Sequence, residues 1–214
     1  MQSITEEPRV YQGQFGEYTI TDEDRREVWI YRIALTVASL CVVAATGLLF
    51  WQGEAAAAWL TPIYGIFCLA LGVSLLTIHI YMASLHRVLQ VFWGIGTLTS
   101  IALALQTREP LALTVYHHPN WLWGMGFLFA ALAGIYFKEA FCFDRVETKF
   151  LTALLPLLVS GHLFGFLSPQ PAKILLSIWS ILFAVFVFRK SFQPASCDIG
   201  DKSVFAYLRG ELEA

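Results

Sequence analysis

Six mostly apolar stretches, separated by short polar ones, run along the 214-residue chain. A helix that crosses a bilayer needs about 20 predominantly apolar residues, with about 17 as the lower limit. Residues 29–51 and 59–81 supply 23 each. Residues 88–105 and 150–167 supply 18 each, and 121–137 and 172–188 supply 17 each. The shorter four are accommodated by local bilayer thinning and by snorkelling of flanking side chains. Residues 111–116 form an apolar run too short to cross. The pattern predicts an all-α polytopic membrane protein, with a bundle of six transmembrane helices over 29–188. Polar segments at 1–28 and 189–214 flank it.

Composition agrees with a chain surrounded by lipid. Hydrophobic residues make up 57% and charged residues 14%, with mean hydropathy +0.61. A soluble domain carries about 25% charged residues to cover its surface. The acidic, polar start up to Glu27 lacks the basic end and short apolar core of a cleavable signal. The net charge of −2 gives no footprint for nucleic acid. Four cysteines, Cys41, Cys68, Cys142 and Cys197, show neither disulfide nor zinc spacing.

Lysine and arginine placement predicts the orientation, because positive residues are retained on the cytoplasmic side. With a cytoplasmic N-terminus, twelve of the fourteen fall inside: Arg9, Arg25, Arg26, Arg32, Arg87, Lys138, Arg145, Lys149, Arg189, Lys190, Lys202 and Arg209. Only Arg108 and Lys173 fall outside. Both termini are therefore expected in the cytoplasm, or in the stroma of a photosynthetic membrane. Trp29, Tyr31, Trp51, Trp59, Trp121 and Trp123 sit at the expected ends, where amphipathic rings favour the headgroup layer.

Small residues at four-residue spacing let helix backbones approach in lipid. Gly96, Ser100 and Ala104 form such a ridge on the third span, and Gly126, Ala130 and Gly134 on the fourth. Gly161 and Gly165 do so on the fifth, and Ser180 and Ala184 on the sixth. These ridges suit packing within one bundle or across a dimer. The similarity of "FWGIG" at 92–96 to "LWGMG" at 122–126 is too short to establish an inverted repeat.

Ionisable groups within a span are costly and so attract functional readings. His162 lies in the fifth span towards the outer side, after Pro156, while His117 and His118 precede the fourth on that side. The three are candidates to hold a haem, a chlorophyll or a metal, against the plainer reading of interhelical hydrogen bonds. His79 and His86 lie at the opposite end, out of reach of one cofactor shared with His162. No metalloprotease, phosphate-loop or nucleophile-elbow motif occurs. The segment "YFKEAFCFDRVETKF" at 136–150 reads as a charged cytoplasmic loop, with apolar positions in no single helical stripe. Lys138, Glu139, Phe141, Cys142 and Phe143 form a candidate docking surface there, with Glu139 neutralising Lys138 or another basic group.

In the N-terminal segment, "VYQGQFGEYTI" predicts a short hairpin, and Thr21 before "DEDRRE" is an N-cap signal for a helix that begins near Asp22. Asp201 is placed to cap a short helix over "KSVFAYLRGELEA". The runs "FKEAFCF" and "GQFGEYTITDEDRREVWIYR" resemble those of a family of small integral membrane proteins of cyanobacteria and plastids, catalogued as a domain of unknown function. The resemblance runs from about Tyr11 to Lys190 and implies a plasma or thylakoid membrane. It brings no catalytic residues. Together these readings point to a non-enzymatic scaffold or assembly factor for a membrane complex. A small transporter or channel for a neutral solute, and a haem- or chlorophyll-binding protein, are the alternatives.

Overall fold

The computed structural model describes residues 10–210; Arg9 and the end of the expected C-terminal helix, beyond Gly210, lie outside the described residues. Strands β1 (Val10–Gln12) and β2 (Glu17–Thr19) pair antiparallel, with Tyr11 opposite Tyr18. Helix α1 (Asp22–Gln52) follows. Its first turn is closed by a reciprocal cap: Thr21 accepts from the Asp24 N–H, and Asp24 accepts from the Thr21 N–H. Gly53, at φ 59° and ψ −131°, takes a positive-φ conformation that favours glycine and ends the helix. A four-residue 3-10 turn then leads into α2 (Ala57–Thr77).

Helices α3 (Ala83–Gln106), α5 (Leu122–Phe143), α6 (Val146–Leu163) and α7 (Pro169–Ser191) complete the long elements. The run at 111–116 is a short helix, α4 (Leu111–His117). Two small helices, α8 (Ala195–Ile199) and α9 (Lys202–Leu208), follow the bundle. Among the described residues, four helical stretches are long and apolar enough to cross a membrane: Asp22–Thr77, Ala83–Gln106, Pro119–Phe143 and Pro169–Ser191. The first contains both α1 and α2. Helix α6 is shorter, and its first turn carries Glu147 and Lys149.

Two boundaries differ from the sequence reading. Helix α2 stops at Thr77 rather than running to Tyr81, because Ile78 turns extended and Tyr81 is drawn to the C-terminal segment, where its hydroxyl accepts from the Asp201 N–H at 2.5 Å. The expected loop at 136–150 is helix almost throughout. Helix α5 continues to Phe143, Asp144 ends it in the left-handed conformation (φ 48°), and α6 begins at Val146. The physical reason is pairing: Lys138 and Glu139 are satisfied inside the protein and need no water-filled turn.

The six long helices form a closed ring in which α1 packs on α2, α2 on α3, α3 on α5, α5 on α6, α6 on α7, and α7 on α1. Leu71, Leu128, Leu132, Ile135, Tyr136 and Phe183 fill its centre and are fully buried. Gly96 lets α3 approach the α5 backbone so closely that a Cβ there would collide with the Leu128 backbone nitrogen. Gly134 makes room for Leu89. Ser100 donates to the Gly96 carbonyl and shares a 2.8 Å hydrogen bond with the Tyr64 hydroxyl of α2. Gly126 stands in ordinary contact range of Val159, and Ala130 lines an exposed groove between α5 and α6. Gly161 packs beneath Leu167, and Gly165, at φ 68°, serves the turn after α6. Gly72 was missed in the sequence; it accommodates Trp93, whose indole N–H donates to the Cys68 carbonyl.

Candidate functional site

Both described ends of the chain meet at one end of the bundle, the terminal end, together with the α2–α3 and α5–α6 junctions. A chain of buried charges lies there. Arg32 of α1 donates from Nε (2.8 Å) and Nη2 (2.6 Å) to Asp198 Oδ2 of α8. Lys190 of α7 donates to Asp198 Oδ1 (2.5 Å) and to Glu139 Oε2 of α5 (2.6 Å). Glu139 Oε1 accepts from Lys138 (3.0 Å) and from the Tyr31 hydroxyl (3.2 Å). All five charged residues are buried.

Three cations thus face two carboxylates, an excess of one positive charge. Aromatic faces surround that excess. Lys190 Nζ lies 4.8 Å from the Phe143 ring centroid and 5.3 Å from that of Tyr31. Lys138 and Arg145 approach the same Phe143 ring at 5.5 and 5.8 Å. The negative face of an aromatic ring favours a nearby cation, most of all away from water. The arrangement locks four helices together; it presents no free acid, base or nucleophile.

A clasp of both termini covers this end. The Gln14 N–H donates to Asp201 Oδ2 (2.7 Å) and the Phe15 N–H to Ser203 Oγ (3.0 Å). Phe15 stacks on Tyr207 with centroids 4.0 Å apart, and Lys202 pairs with Asp24. Burial pulls the Asp201 carboxyl up, but donors from Ser203 and the Gln14 N–H outweigh it and hold the group below the ordinary value. Between α6 and α7, Glu147 receives two hydrogen bonds from Arg189, both 2.8 Å.

The candidate docking residues divide. Lys138 and Glu139 are buried in the network, and Phe143 lies beneath its cations. Phe141, 84% exposed, and Cys142, also exposed, stand at the rim. At the opposite end, Tyr116 comes between the candidate cofactor histidines. Its ring stacks on His162 and meets His117 edge-on, both at 5.6 Å. His162 Nε2 faces the Val115 carbonyl at 3.4 Å, and His118 caps the exposed end of α4. Among the described residues no three His, Cys, Asp or Glu side chains are grouped to hold a metal.

Sequence reasoning counted Arg32 and Lys190 only as orientation signals and gave Asp198 no role. Arg32 inside the first apolar stretch was the available clue, since a charge there needs a partner. No curated protein and no solved structure matches the chain. Residues 73–207, from the last turn of α2 through the network carboxylates to α9, match the family described as uncharacterized integral membrane protein (DUF2301). With its apolar helices and lipid-facing surface, the chain belongs to that family of integral membrane proteins.

Proposed function

We propose that this protein is a non-enzymatic scaffold or assembly factor for a membrane complex. It threads the bilayer six times with both termini cytoplasmic, in a plasma or thylakoid membrane. The ring of six long helices and the gathering of lysine and arginine at the terminal end support that threading. The observation that carries the role is the buried charge network. A transporter that opens alternately to each side must part its helices. Parting α1, α5 and α7 at this end would strand Arg32, Lys190 and Glu139 in a poorly hydrated setting. A fixed platform uses the same network to hold a rim, with Phe141 and Cys142 displayed towards a neighbouring subunit.

The test is mild-detergent purification of the tagged protein from its native membrane, with the co-purifying chains identified and the visible spectrum recorded. Stoichiometric subunits, lost when Phe141→Ala is introduced without loss of the bundle's melting transition, are the expected result. A chain that emerges alone overturns the scaffold reading. A Soret or chlorophyll band lost in His162→Ala would move the assignment to a pigment- or haem-binding protein.

A further inference from the structure

The half of the bundle away from the termini holds a half-open cavity of about 330 Å³ between α1, α2, α4, α5 and α7. Leu49 and Leu60 line its outer part, and Phe67, Phe129 and Trp179 form its deepest wall. No charged side chain lines it. The Tyr64 hydroxyl at its edge is already bonded to Ser100. Trp179 is 4% exposed, and its indole N–H is buried on the side of the Tyr136 hydroxyl, so the cavity meets only the apolar part of the ring. Beyond this wall Tyr136, Phe183 and Phe186 meet edge to face, with centroids 5.3 and 6.0 Å from Tyr136. The cavity is therefore blind, a pocket and not a passage.

Protein interiors are packed to crystal-like density with few voids larger than a water molecule. A space of this size falls instead in the range of ligand pockets, about 300–1,000 Å³, which are mostly apolar with few polar groups. Apolar cavities stay dry and accept apolar molecules. A charged or strongly hydrated ligand would find no partner in these walls. The bilayer around the bundle supplies apolar chains at high concentration.

We propose that this cavity is a binding site for a neutral, lipid-like molecule, whose isoprenoid or acyl chain lies between α1, α2 and α5. Ala45 and Ala112 lie on opposite walls, on α1 and α4, so a large side chain at either would fill the space without touching the charge network.

The test uses the full chain in lipid nanodiscs and a diazirine-bearing long-chain alcohol as probe, with crosslinked residues mapped by mass spectrometry. Saturable labelling at Phe67, Phe129 or Trp179, reduced at least ten-fold by Ala112→Trp and by Ala45→Trp, is expected. Competition by geranylgeraniol or by hexadecanol then tells an isoprenoid site from an acyl-chain site. Labelling that grows without saturation at lipid-facing positions such as Leu76 and Leu98 overturns the proposal, as does labelling unchanged in a filled variant that melts like the parent. If both filled variants fail to fold, saturation and competition in the parent chain decide alone. The isolated chain is used throughout, so the result is independent of any partner.

Discussion

The two halves of the bundle solve opposite problems with the same helices. At the terminal end, charges are buried and nearly every one has a partner of opposite sign, so the helices are tied by directional bonds. In the other half, the walls are apolar and border open space. Helix α7 runs through both: Lys190 is gripped by two carboxylates, while Trp179, three turns earlier, borders the cavity. The contrast teaches where shape is enforced and where it is permitted. Apolar contacts tolerate a change of occupant, whereas buried ion pairs tolerate only their own geometry.

The strongest way to break this contrast is to delete one charge. Glu139→Gln takes the carboxylate from Lys138 and leaves Lys190 with Asp198 alone, and should destabilise by about 3–5 kcal/mol, the usual cost of breaking a buried pair. Lys138→Met leaves two cations facing two carboxylates and should cost only about 1 kcal/mol, as for one lost hydrogen bond. Thermal unfolding in detergent compares the two, and equal losses would show that the network is not balanced as described.

Volume gives a smaller effect of two signs. Gly96→Ala forces α3 and α5 apart, because the new methyl meets backbone, and should destabilise by about 1–3 kcal/mol. Ala45→Leu adds more atoms but projects into the cavity, and should stabilise by about 0.5–2 kcal/mol in detergent. The same melting curves read both. A loss in Ala45→Leu as large as that in Gly96→Ala would mean that the two regions are equally packed.

The smallest effect is local and depends on pH. The folded Asp201 carboxyl lies below its ordinary value, so its contribution to the clasp is present above the unfolded value, about 3.9. It is lost as pH falls through the lower folded value. Hydrogen exchange at the Gln14 and Phe15 amides should therefore stay slow down to about pH 4 and quicken below it. Asp201→Asn should quicken the Gln14 amide at neutral pH while amides in α5 stay protected.

Much of the scaffold was legible because lipid leaves the chain few choices. Apolar length gives the all-α membrane character, with four helical stretches among the described residues long and apolar enough to cross, and the capping residue Thr21 and the hairpin at 10–19 follow from local chemistry. The charged end was not legible for the opposite reason. Arg32 and Asp198 are 166 residues apart, and neither announces the other. Lys138 and Glu139 read as a turn because charges in an apolar run suggest water; only the tertiary partners Lys190 and Tyr31 let α5 continue through them. The division of α2 from α3 depended likewise on Tyr81 reaching Asp201. The cavity could not be read at all, since it is made by what five helices leave between them.

Asp198 also has a meaning in time. During synthesis the ribosome delivers Arg32 early and Asp198 late, on a segment that is made after every long helix. Until it arrives, Arg32, Lys138 and Lys190 have only the Glu139 carboxylate of the network to share. The short helix α8 is thus the piece that closes the charge balance after the long helices are in place.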